Sequence, residues 1–156
     1  MRHQPRTTDP VLIADDDTDD CLIAMEAWEE GGFGNDLRFV QDGLELMDYL
    51  YQRGRFADAS TAPRPGLILL DLSMPKKNGL EALAEIKSDL TLREIPTLIL
   101  STSNTPKEAS VAYSLGACGF ITKPSTFHGY LNVMRDVREA WLDMNDFSSL
   151  ATTLCR

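Results

Sequence analysis

Leu67-Ile68-Leu69-Leu70-Asp71-Leu72-Ser73-Met74-Pro75 is the stretch on which the fold turns. Four apolar residues run straight into one carboxylate, and a proline follows four positions later. A short unbroken apolar run reads as a strand buried on both faces, as in a parallel sheet. A buried helix segment shows the same run, but Pro75 and Gly79 leave too little length for one. The strand is therefore expected over 67–71, with Asp71 at its carboxyl end. Ligands bind at that end in open α/β sheets. Taken alone, Asp71 reads equally well as a helix N-cap or turn residue.

Working outward, the same pattern recurs. Val11-Leu12-Ile13-Ala14 is a short apolar run, followed by the acids Asp15-Asp16-Asp17-Thr18-Asp19-Asp20. Residues 18–30 set Leu22, Ile23, Met25, Ala27 and Trp28 among acids, which predicts an amphipathic helix ended by Gly31, Gly32 and Gly34. Leu37–Val40 is a second strand, and a helix over 43–53 carries Leu44, Leu46, Met47 and Leu50 mostly on one face. Residues 54–66 are a breaker-rich loop, read equally as a partner-facing surface or a tolerated insertion. A helix over 79–90 turns Leu80, Leu83, Ala84 and Ile86 inward, and Pro96–Ser101 is a fourth strand. Thr105-Pro106 predicts a helix start, with an end near Gly116. Cys118–Ile121 is a fifth strand before Lys123-Pro124, and a last helix covers about 126–143.

Five alternations of strand and helix without a repeat predict one doubly wound parallel sheet covered on both faces. The organisation expected is a disordered lead-in over 1–9, one domain over 10–143, and a tail over 144–156. In that tail Phe147, Leu150 and Leu154 have helical spacing. The length of 156 residues and a hydrophobic share of 43% suit one soluble domain.

Several function classes fall away on composition. The net charge of −9 argues against nucleic-acid binding and suits cation binding or basic protein partners. No apolar run approaches the ~20 residues of a membrane span. Met1–Thr8 lacks a signal peptide's apolar core, which predicts a cytoplasmic protein. Cys21, Cys118 and Cys155 are odd in number and widely spaced, so reduced thiols are expected, not a zinc site or disulfides.

Parallel strands end on one edge, so Asp15, Asp16 and Asp17, Asp71, Ser101 and Lys123 can converge. Two unit charges about 5 Å apart repel by about 3 kcal/mol at an effective dielectric of about 20. Several such terms raise a pKa or demand a cation. Lys123 supplies one positive charge, and a divalent cation supplies more. Magnesium suits one or two carboxylates, waters and a phosphate oxygen. A carboxylate beside such a cation can act as a nucleophile toward a phosphoryl group.

These features resemble the receiver domain of two-component response regulators. The resemblance rests on the acids after Val11–Ala14, on Asp71 with Pro75 and Gly79, on Ser101 after Thr97-Leu98-Ile99-Leu100, and on Phe120-Ile121-Thr122-Lys123-Pro124. It covers roughly residues 10–142 in consistent order and spacing. It implies a flavodoxin-like sheet of order 2-1-3-4-5 with five helices. It implies that Asp71 accepts a phosphoryl group from a sensor histidine kinase, and that the protein catalyses only its own phosphorylation and dephosphorylation. Asp15, Asp16, Asp71 and the backbone carbonyl of Ser73 would hold Mg2+. Lys123 would pair with the phosphoryl group, Ser101 would hydrogen-bond it, and Phe120 would rotate inward behind Ser101. Ser73 and Ser103 stand where phosphoryl hydrolysis is tuned. Ser101 replaces the commoner Thr and Phe120 the commoner Tyr, so a hydroxyl is kept at the first and lost at the second.

A narrower resemblance, to stand-alone regulators paired with phytochrome-type kinases, rests on Pro75–Gly79, Glu85–Asp89, Ile95-Pro96 and the 54–66 loop. It implies a homodimer through the last helix and sheet edge, and signalling through altered protein contacts. Two rivals are weaker. Asp15 to Glu26 imitates a calcium loop, but Asp20 stands where Gly is needed and the flank reads as strand. A phosphatase of the haloacid dehalogenase type would need Thr or Val at position 19, which is Asp19. Trp28 and Trp141 read as helix packing, and His3 and His128 as surface residues. Asp19, Asp20, Glu29 and Glu30 read as solvated helix charge, and Lys76 and Lys77 as surface residues or a guide for the kinase.

Overall fold

The computed structural model describes residues 9–102 and 105–142. The expectations for His3, Ser103, Cys155, the lead-in up to residue 8 and the tail lie outside them. Within them the chain runs β1 (Val11–Ala14), α1 (Thr18–Glu30), β2 (Leu37–Val40), α2 (Gly43–Tyr51), β3 (Leu67–Leu70), α3 (Gly79–Ser88), β4 (Thr97–Ser101), α4 (Pro106–Ser114), β5 (Gly119–Thr122) and α5 (Phe127–Leu142). The strands form one sheet of order β2-β1-β3-β4-β5. Every pairing is parallel. This is the doubly wound, flavodoxin-like arrangement expected.

Alternation along each strand divides the core in two. Leu12, Ala14, Ile68, Leu70, Ile99 and Phe120 face α2, α3 and α4. Val11, Ile13, Leu67, Leu69, Leu98, Leu100 and Ile121 face α1 and α5. β1, β3 and β4 are buried on both sides, which explains their unbroken apolar runs. Each fully buried Leu or Ile stabilises the fold by about 1.5–3 kcal/mol. The sheet is thereby pinned in register, because a one-residue slip would exchange the two faces.

Helix starts are specified locally. Asp17 caps α1 by accepting from the backbone N–H groups of Asp19 and Asp20. Thr105 caps α4, with Pro106 in the first turn as expected. Asn78 and Glu81 form a reciprocal capping box at the start of α3.

Some expected faces shift. Leu22 and Met25 are exposed, because the buried stripe of α1 runs through Ala24, Ala27 and Trp28. Leu44 is exposed as well, and the buried face of α2 runs through Leu46, Met47 and Tyr49. Leu80 and Ala84 are only half-buried, while Ala82 is fully buried with Leu83 and Ile86. The loop at 54–66 is not bare. It contains two short 3-10 turns, and buried Phe56 packs edge-on against Tyr49 with ring centroids 5.1 Å apart. Tyr49 Oη donates to the Pro63 carbonyl at 2.8 Å, and Gln52 Nε2 donates to Ala62 at 3.0 Å. Cys21 and Cys118 are free thiols, and burial pushes their pKa values up to about 12 and about 11.

Candidate phosphoryl-transfer site

The carboxyl ends of β1, β3 and β5 meet at one point. Asp15 directly follows β1 and is fixed by its own N–H, which donates to the Val40 carbonyl at 3.0 Å. Asp71 directly follows β3, its N–H donating to Ala14 at 2.9 Å. The strand ends one residue earlier than expected, so Asp71 leads the turn. Lys123 follows β5, and its N–H donates to the Ser101 carbonyl at 2.7 Å. Backbone ladders of the sheet thus place these three side chains, although they lie far apart in sequence.

The geometry is one of excess negative charge around one ammonium. Lys123 Nζ lies 2.8 Å from Asp15 Oδ2, 2.8 Å from Asp20 Oδ2 and 3.4 Å from Asp71 Oδ2. Asp15 is 3% exposed and Asp71 6%. Asp16 is exposed, yet one of its oxygens lies within 4.8 Å of one oxygen each from Asp15 and Asp71. Two of these carboxylates are desolvated, and among the described residues one cation, Lys123, balances them.

The electrostatics follow from that count. Burial pushes the Asp71 carboxyl up to about 6. The Lys123 charge opposes that shift, the Asp15 charge adds to it, and the Ser73 N–H donating to Asp71 Oδ1 at 3.3 Å opposes it. Burial works against the Lys123 ammonium. Its hydrogen bonds to Asp15 and Asp20 and the field of Asp71 outweigh burial and raise its pKa. It therefore stays charged.

The donor set fits a hard divalent cation. Three carboxylate oxygens converge within 4.8 Å, and they are the hard oxygen donors that Mg2+ or Mn2+ take. An added ion would also offset the charge that one ammonium leaves unbalanced. Ser73 is exposed at the rim.

The other residues singled out from sequence sort clearly. Ser101 ends β4 fully buried and pairs in register with Thr122. Phe120 sits opposite Ile99 on the face of α4, 1% exposed, so the inward position already holds the ring. Lys76 and Lys77 pair with Asp42 and Glu85. Lys76 has a φ of +67°, and the Lys77 N–H donates to the Pro75 carbonyl at 2.7 Å. This γ-turn, a strained form, bends the loop that follows Asp71. His128, Glu29 and Glu30 are exposed, as expected. Trp28 is buried and donates to the Asn35 carbonyl at 2.8 Å.

Asp20 departs from its expected role as solvated charge, since it pairs with Lys123. First-turn acids look alike in sequence. The signal was position: a helix starting four residues past a strand end carries its first turn over the site. The calcium-loop reading fails on geometry, because Asp17 is a helix cap and the flank before Asp15 is the strand β1, not a helix.

Residues 11–135 match the response regulator receiver domain. Response regulator Rcp1 of Synechocystis is 32% identical over 133 residues, covering 85% of this chain and 88% of that protein. The phosphorylated cyanobacterial phytochrome response regulator RcpA superposes with a TM-score of 0.79 at 38% identity, covering 87% of this chain and 95% of that one. The Mn2+-bound form of Rcp1 superposes with a TM-score of 0.77 at 32% identity, covering 86% and 94%. No helix among the described residues is long and apolar enough to cross a membrane. With its Asp cluster fitted to phosphorylation and divalent metal, this chain belongs to the response regulator receiver domain family and is related to the phytochrome response regulators.

Proposed function

We propose that this receiver, over residues 10–143, takes a phosphoryl group onto Asp71 from the phosphohistidine of a sensor kinase, in a Mg2+-dependent reaction. The observation that carries the reading is Asp71 beside Lys123, 3.4 Å apart, within a cluster of further acids at one sheet edge. An Asp71 oxygen attacks phosphorus, the P–N bond to the kinase histidine breaks, and an acyl phosphate remains. With a pKa pushed up to about 6, Asp71 is mostly ionised at neutral pH and is the nucleophile without a separate base. Asp15, Asp16, Asp71 and the Ser73 carbonyl would hold the metal, which supplies neutralisation of the phosphoryl oxygens. Lys123 would pair with the transferred group, and Ser101 would hydrogen-bond it with Phe120 packed behind. Ser73 and Ser103 would set how fast water removes the group.

The similarity to phytochrome response regulators supports a phytochrome-type histidine kinase as the donor. It also supports a homodimer through α5 and the sheet edge, and output by altered protein contacts. The test is incubation with acetyl phosphate and Mg2+. The protein should gain one phosphoryl group and Asp71→Asn none; equal labelling of both would remove Asp71 from its role. Sedimentation with and without beryllofluoride tests the dimer, which a monomer at every concentration would overturn.

A further inference from the structure

Among the described residues Lys123 is the single cation paired with the site acids, and its ammonium has three protons to donate. All three have an acceptor: Asp15 at 2.8 Å, Asp20 at 2.8 Å and Asp71 at 3.4 Å. The ammonium is thus held closer to α1 than to the residue it is to serve. A phosphoryl group on Asp71 brings new acceptor oxygens, and reaching them draws the ammonium toward β3. One existing contact must lengthen.

Solvent decides which. The Asp15 and Asp71 side chains are 4% and 7% exposed, so neither gains water if the ammonium leaves. The Asp20 side chain is 23% exposed, and water can replace the lost donor there. A buried acid left without its partner costs far more than a wetted one.

We propose that Asp20 is a positioning residue, a tether from the first turn of α1 that holds Lys123 back from Asp71 and is released when the phosphoryl group arrives. This rests on the reading of Asp71 as phosphoacceptor. Asp20 sets the balance between the two states through Lys123 and does not touch the reacting atoms. Removing its carboxylate frees the ammonium and favours the phosphorylated arrangement.

The probe is beryllofluoride, a phosphoryl analogue, titrated at saturating Mg2+ and followed by amide magnetic resonance on the full chain. Asp20→Asn should bind it about fivefold more tightly, the scale of one partly exposed ion pair. Asp20→Ser should do the same, which guards against a folding defect peculiar to one variant. Asp20→Glu, which keeps the carboxylate, should return the affinity toward wild type. Asp19→Asn removes the same charge from an exposed neighbour and should change affinity less than about twofold. If the Asp20 variants bind no more tightly than Asp19→Asn, or more weakly than wild type, the tether is wrong. Should wild type itself fail to bind beryllofluoride or to label, it is the phosphoacceptor reading that falls.

Discussion

Asp71 is a carboxylate held where its charge is costly. Burial raises its pKa from 3.8 to about 6, and Lys123 only partly offsets this. The folded chain therefore binds the Asp71 proton at a higher pH than the unfolded chain does. Between about pH 4 and 6 the folded state holds more protons, so this group's contribution makes stability fall as pH rises through that window. Above the window the full cost is present. Asp71→Asn should accordingly stabilise the fold at pH 7 by on the order of 2 kcal/mol, a gain that shrinks toward nothing near pH 4. Urea unfolding at several pH values measures it. An Asn variant less stable than wild type at pH 7 would mean that the Lys123 pairing outweighs burial.

At the scale of elements, the site depends on how closely α3 approaches β3. A Cβ at Gly79 would run into the backbone oxygen of Asp71, closer than such atoms come. Gly79→Ala must push the start of α3 away or shift Asp71 itself. Its expected cost is about 1–3 kcal/mol in urea unfolding, with slower labelling by acetyl phosphate. Gly34→Ala, with nothing within 4 Å of the new carbon, is the control and should unfold like wild type. These close approaches were not legible in the sequence, where Gly79 reads as a breaker, a helix start and part of the family resemblance, with no sign of what it packs against. The strands were legible because burial on both faces leaves an unbroken apolar run, as in Leu67–Leu70. The helices were legible in place but only partly in face: Leu46, Leu83 and Ile86 are buried as expected, whereas Leu22 and Leu44 are apolar yet exposed, since hydrophobicity does not say which stripe meets the sheet. Asp15, Asp71 and Lys123 could be read from strand ends, because topology alone brings those together. Asp20 was missed, because nothing in its residue type distinguishes it from Asp19, and only its place in a first turn carried over the strand ends could have marked it.

For the whole molecule, the question is whether its negative charge is diffuse or directed. The chain carries a net −9, and any salt relieves part of that self-repulsion. The sheet, however, gathers Asp15, Asp16 and Asp71 to within 4.8 Å at one edge, between helices that cover its two faces. A diffuse charge responds to ionic strength whatever the ion, whereas a gathered one responds to a divalent cation at low concentration. Binding that favours the folded state stabilises it by about 2.7 kcal/mol at a hundred times Kd. For a domain of this size that corresponds to a rise in Tm of about 5–10 °C. Thermal melts in Mg2+ and in NaCl of equal ionic strength separate the two contributions. Mg2+ should raise Tm by that amount beyond NaCl, and Asp16→Asn should lose most of the excess while keeping the response to NaCl. Asp16 is exposed, so its replacement disturbs no packing and the comparison isolates the ligand oxygen. A melt that rises equally in the two salts would make the acids mere surface charge, and the sheet edge would have no metal to bring to the phosphoryl group.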